Sequence, residues 1–151
     1  MDLKSGYPFW AIKNGLLQTF PQLDRDETCE IAVIGGGITG ALIAHELAEH
    51  GHDVTVLERR HVGWGSSAAS TALLQYEIDT HMTELAERFG EARAVQTYRA
   101  CARAVESIDK LAERIGDVDF ARQRSLYFAS DEGHVDGLRR EWELRLSLIH
   151  I

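Results

Sequence analysis

Four glycines, Gly35, Gly36, Gly37 and Gly40, fall within six consecutive positions of the stretch IAVIGGGITGALIAHELAEHGHDVTVLE, residues 31–58, between two apolar runs. Bare amides at the start of a helix hold anions well, because unpaired N–H groups point outward with the positive end of the helix dipole behind them. Glu58 stands eighteen positions past Gly40. A carboxylate there can accept charge-assisted hydrogen bonds from ribose hydroxyls. The chemistry that these residue types at this spacing support is the grip on a dinucleotide's diphosphate and ribose.

The elements that must position these groups are legible around them. Ile31-Ala32-Val33-Ile34 is a short β-rich run, and Ile38, Leu42, Ile43 and Leu47 then recur at helical spacing until Gly51. Val54-Thr55-Val56-Leu57 forms a second strand that ends at Glu58. Strand, tight turn, helix and strand in that order require a crossover and a parallel sheet. Within it Gly35 permits the turn, Gly37 removes a Cβ that would block a pyrophosphate, and Gly40 lets helix and strand pack closely. The first-turn amides near Ile38 and Thr39 then face the phosphates. Two conditions follow: Glu58 lies near the later serine-bearing bend, and the opening amides are not plugged by protein side chains.

NADP is disfavoured, because Glu58 would repel a ribose 2′-phosphate. NAD and FAD are not separated by the turn alone. A second loop, Gly65-Ser66-Ser67-Ala68-Ala69-Ser70-Thr71, favours FAD: an extended flavin dinucleotide carries its ring well beyond its phosphates, and a backbone with small side chains can run close beside it. Ser66 and Ser67 can offer hydroxyls and N–H groups to the phosphate and ribityl chain.

Taken together, VIGGGITG, the LER that ends the second strand, and VGWGSSAASTALLQ resemble the D-amino acid oxidase-like superfamily of FAD-dependent oxidoreductases, which includes glycine oxidase, sarcosine oxidase and γ-glutamylputrescine oxidase. The resemblance is close over residues 30–75 and looser through RSLYFAS. It implies a Rossmann-like α/β fold in which Ile38 and Thr39 contact the pyrophosphate, Glu58 and Arg59 flank the adenosine, and Ser66 and Ser67 lie along the middle of the cofactor. Thr71, Ala72 and Leu73 would lie beside the flavin ring. It also implies a small amine or amino acid substrate, whose C–H next to nitrogen gives a hydride to the flavin; the resulting imine hydrolyses. The substrate-gripping residues of such enzymes come from a later antiparallel sheet, so this chain reads as the N-terminal FAD-binding portion, inactive and weak in cofactor retention alone. No catalytic residue is assigned. An NAD-dependent dehydrogenase unit and a non-catalytic nucleotide module are the alternatives.

The rest of the chain sets the frame. Its 151 residues, 44% hydrophobic and 26% charged, suit one globular domain, and the net charge of -8 is dispersed. Basic residues form no patch beyond Arg59-Arg60 and Arg139-Arg140, which argues against nucleic acid. The start lacks a signal-like apolar run and no membrane span is expected, so a cytoplasmic protein is the expectation. Cys29 and Cys101 read as idle thiols. His45 and His50 are five apart and point roughly 140° from each other on a helix, which sets a metal site aside, and Ser66 and Ser67 lack the GxSxG of a nucleophile elbow. Tyr76 and His81 are read as packing or surface residues.

Residues 1–29 form an arm carrying Tyr7, Phe9, Trp10, Leu16, Leu17 and Phe20, aromatics expected to insert into a larger body. Residues 30–145 form the cofactor domain. In it Met82 to Phe89 and Val95 to Ile115 mark helices closed by Gly90 and Gly116; Ser125 to Ala129 reads as a strand opening the next sheet; and Asp131 caps a helix with Val135, Leu138 and Trp142 on its apolar stripe. Residues 146–151, LSLIHI, match a translated library-adapter sequence and read as a non-native tail.

Overall fold

β-branched residues dominate Ile31–Ile34 (β1) and Val54–Leu57 (β2), and the two tetrads pair as a parallel sheet in the register Ile31↔Val54, Ala32↔Thr55, Val33↔Val56 and Ile34↔Leu57. The computed structural model that shows this describes residues 6–16 and 18–149. These fall into two compact units, one within residues 1–73 and one within residues 74–151.

In the first unit, a short helix Phe9–Asn14 (α1) precedes β1, and the helix Ile38–Glu49 (α2) connects β1 to β2 and packs on both. Bonds from Ile31 N to Asp53 O (3.0 Å) and from Gly35 N to Leu57 O (2.8 Å) close the ladder at its two ends. A single 3-10 turn, Ser67–Ala69, follows β2 and packs against α1. The arm differs from expectation. Trp10 is half-buried, whereas Tyr7, Phe9, Leu16 and Phe20 are exposed; Leu17 lies outside the described residues.

The second unit is helical. Met82–Phe89 (α3) and Glu91–Ile115 (α4) meet at Gly90, whose φ of 86° breaks the helix between them, and Gly116 ends α4 as the spacing predicts. Asp131 caps the 3-10 turn Glu132–His134, accepting from Gly133 N at 2.8 Å, rather than the helix Val135–Leu148 (α5) that follows, whose own N-cap residue, His134, gives no side-chain cap bond. The core gathers Met82, Ala94, Tyr98 and Ile149, with Tyr76, Leu85, Val95, Leu144 and Leu148 packed around it.

Two further expectations for this unit are corrected. Ser125–Ala129 forms no strand, because no partner strand exists for it among the described residues; Leu126 and Phe128 are exposed and the Tyr127 hydroxyl meets His81 Nε2 at 2.5 Å instead. The α5 stripe is also rotated: Val135 and Trp142 face outward, and Glu141, Arg145 and Ile149 are buried. Within the supposed tail, Leu148 and Ile149 belong to this core, and His150 and Ile151 lie outside the described residues.

Burial of two charged residues has a physical cause. His81 provides no side-chain cap for α3, and Glu141 takes that role from α5, accepting from Met82 N at 2.8 Å and Thr83 N at 2.9 Å. Arg145 Nε donates to the same carboxylate at 2.7 Å, and its Nη2 donates to the Tyr98 hydroxyl at 3.3 Å. Desolvation raises the Glu141 pKa, but the Thr83 and Met82 amides and Arg145 outweigh it and hold the carboxyl below its ordinary range. Burial pushes the Tyr98 phenol up to about 12, so it stays a neutral donor, and it donates to Thr80 O at 3.1 Å.

Replacing Glu141 by alanine leaves Arg145 buried without its main partner, and a loss of about 3–5 kcal/mol in denaturant unfolding is expected. The double change Glu141→Leu, Arg145→Met should lose clearly less. Because the folded pKa of Glu141 lies below its ordinary value, its contribution is full above that value and fades as pH falls through the folded pKa. Acid titration of α3–α5 helicity should show this loss in the wild type and not in the double variant.

Candidate cofactor site

The corner between β1 and α2 exists because of what two glycines lack. Gly35 holds φ at 104°, a conformation that strains L side chains. At Gly40 a Cβ would stand 1.9 Å from the Gly35 carbonyl oxygen, so helix and turn approach backbone to backbone. Gly36 was counted in the cluster but given no task by the sequence pattern, yet it is buried and tied at both ends: its N–H donates to Glu58 Oε2 at 2.8 Å and its carbonyl accepts from Gly63 N at 2.8 Å. A Cβ on Gly36 would meet the Glu58 and Val62 side chains at 3.2 Å. The signal available in sequence was the uninterrupted GGG, since the GxGxxG pattern leaves its second position free.

Glu58 sits where β2 delivers it, one residue past the ladder. Its second oxygen accepts from Arg60 N at 2.8 Å. The Gly36 amide first, and the Arg60 amide after it, hold the Glu58 carboxyl below the ordinary carboxylate range. The group is therefore an anion with acceptor capacity to spare at neutral pH. Arg59 and Ser66 are exposed beside this segment.

On the other side of the turn, Ser67 Oγ accepts from Ile38 N at 2.9 Å. The requirement that the opening amides carry no side chain is thus not met at Ile38. The reason is local: Gly37 has no Cβ, and one built there would stand 3.2 Å from that same hydroxyl, so the missing atom lets the serine reach the helix end. Accepting with its lone pair leaves the serine's own O–H free to donate. Among the described residues, the N–H groups of Gly37, Thr39 and Gly40 face no protein acceptor. A dipole-backed set of donors, a serine O–H beside them and the Glu58 carboxylate on the Gly36 amide, two positions before Ile38, match the needs of a diphosphate and a ribose.

Beyond the 3-10 turn, Ser70 Oγ accepts from Ala72 N at 3.1 Å, and Ala72 is held at φ 57°. A non-glycine residue pays roughly 1–2 kcal/mol for that conformation. Thr71 and Leu73 flank it and are exposed. Tyr76 and His81 belong to the second unit, where Tyr76 packs edge-on against Tyr98 at 6.5 Å and His81 against Tyr127 at 5.7 Å. The histidines near α2 point to other partners: His50 Nδ1 meets Glu46 O at 2.8 Å and His52 Nδ1 meets Glu30 at 2.9 Å.

Residues 30–150 match the family model described as FAD dependent oxidoreductase, and the chain belongs to that family. It is 31% identical over 136 residues to the Bacillus subtilis protein named "Putative Rieske 2Fe-2S iron-sulfur protein YhfW", covering 89% of this chain and 26% of that one. Glycine oxidase of Geobacillus kaustophilus is 30% identical over 116 residues, 75% of this chain and 28% of the relative. Gamma-glutamylputrescine oxidoreductase of Escherichia coli is 34% identical over 87 residues, 56% and 20% respectively. The chain thus spans about a quarter of the length of the curated relatives it matches. No solved structure matches it. No helix among the described residues is long and apolar enough to cross a membrane.

Substituting alanine at Gly40 drives a methyl into a backbone carbonyl and should cost more than about 3 kcal/mol. Gly137, in α5 with open space around it, is the control: there alanine should be neutral or stabilise by up to about 1 kcal/mol. Thermal unfolding of the two variants beside the wild type checks the contrast.

Proposed function

We propose that this chain is the FAD-binding portion of an oxidoreductase that oxidises an amine or amino acid. The observation that carries the reading is the glycine turn held from both sides, by Glu58 on the Gly36 amide and by Ser67 on the Ile38 amide, with free donors at Gly37, Thr39 and Gly40. In this reading Gly35 and Gly40 shape the corner, and the Gly37, Thr39 and Gly40 amides hold the diphosphate. Ile38 reaches it through the Ser67 hydroxyl, which turns a helix donor into a side-chain donor. Glu58 receives the ribose hydroxyls and Arg59 borders the adenosine.

Ser66 follows the middle of the cofactor, and Thr71, Ala72 and Leu73 border the flavin ring, with Ala72 held in a left-handed conformation. FAD, when bound, supplies the ring that accepts a hydride from the substrate carbon next to nitrogen. The substrate class rests on the likeness to glycine oxidase and gamma-glutamylputrescine oxidoreductase, whose names state amine and amino acid substrates.

Titration of the purified chain with FAD, followed by flavin fluorescence, should saturate, and NADH should not compete. Glu58→Ala should weaken FAD binding by about tenfold or more. Affinity should also fall as acid protonates Glu58, at a pH below the ordinary carboxylate range. Saturable NADH binding with no response to FAD would overturn the cofactor. For the longer protein carrying this portion, an FAD-loaded form that no primary or secondary amine bleaches without oxygen would overturn the chemistry.

A further inference from the structure

We propose that Trp10 is a positioning residue for the cofactor turn: its indole N–H fixes the serine-bearing 3-10 turn so that Ser67 stands on the Ile38 amide. The contact is specific. Trp10 Nε1 donates to the Ser70 carbonyl at 2.8 Å, across sixty positions of sequence. The indole is itself held, with Phe9 edge-on at 4.9 Å and Lys13 Nζ 5.5 Å from the ring centroid.

Ser70 is the hub through which this contact acts. Its N–H donates to Ser67 O at 3.4 Å, its hydroxyl accepts from Ala72 N at 3.1 Å, and its carbonyl is the atom Trp10 holds. A 3-10 turn of three residues, Ser67–Ala69, has little cooperativity of its own. An outside anchor on the carbonyl of Ser70, the residue that closes it, therefore decides whether Ser67 keeps its place. The anchor comes from α1, Phe9–Asn14, which lies outside the family-matching residues 30–150. This chain thus carries, in its arm, a strap across a site built by the family domain.

Its consequence for binding rests on the reading of that turn as an FAD site, but the strap itself can be tested without FAD. Trp10 is replaced by phenylalanine and, to keep the ring's shape while removing only the N–H, by β-(3-benzothienyl)alanine. Amide hydrogen exchange on the full chain should become faster at Ile38, Ala69 and Ser70, while the ladder amides of β1 and β2 keep their protection. Loss of one such hydrogen bond should also weaken FAD binding about fivefold. Unchanged exchange at Ile38 in the isosteric variant overturns the strap, and faster exchange with unaltered FAD affinity overturns its role in holding the cofactor. General loss of ladder protection in the phenylalanine variant leaves the decision with the isosteric one; if that too loses the ladder, Trp10 is a folding residue and the proposal fails. Should the wild type bind no FAD, the cofactor reading falls while the exchange result still judges the strap.

Discussion

One contact fixes the first unit: the near touch of Gly40 Cα and the Gly35 carbonyl, where a single methyl group would stand 1.9 Å from oxygen. That approach lets α2 leave β1 at once, so the amides of its first turn lie just past the strand end. The parallel ladder then places Glu58, the residue after β2, against Gly36, the residue after Gly35. Without the close corner, the ladder would end in the same place but the helix amides would not converge with the carboxylate.

Both sides of the turn are held by side chains that act as acceptors. Glu58 and Ser67 each bind one amide of the turn, two positions apart, and each keeps hydrogen-bonding capacity for a further partner. The turn is therefore shaped by the chain's own groups. The second unit solves a similar problem with the same chemistry, since Glu141 supplies the cap that His81 does not give α3, and Arg145 balances the charge that this brings into the core.

What was legible in the sequence is local. The GxGxxG corner, the two strands beside it, and the helix stops at Gly51, Gly90 and Gly116 all follow from backbone freedom at single residues and from periodicity over a few turns. Ser125–Ala129 shows the limit: its composition suits a strand, but a strand needs a partner, and composition does not supply one. The stripe on α5 misled for a related reason. Apolar side chains at Val135 and Trp142 predict a buried face, whereas an uncapped helix end on α3 drew Glu141 and Arg145 inward instead.

Sequence by itself determined the kind of corner this chain makes and the family to which it belongs, because both are written in residue types at fixed short spacings. The tertiary structure alone decided which groups hold that corner, Ser67 on Ile38 across 29 positions and Glu58 on Gly36 across 22, and it alone made the long-range bonds of Trp10 to Ser70 across 60 and, within the second unit, of Met82 to Glu141 across 59. Each is a directional bond of about 3 Å between distant segments. Its existence depends on how the intervening chain closes, and no local pattern encodes that.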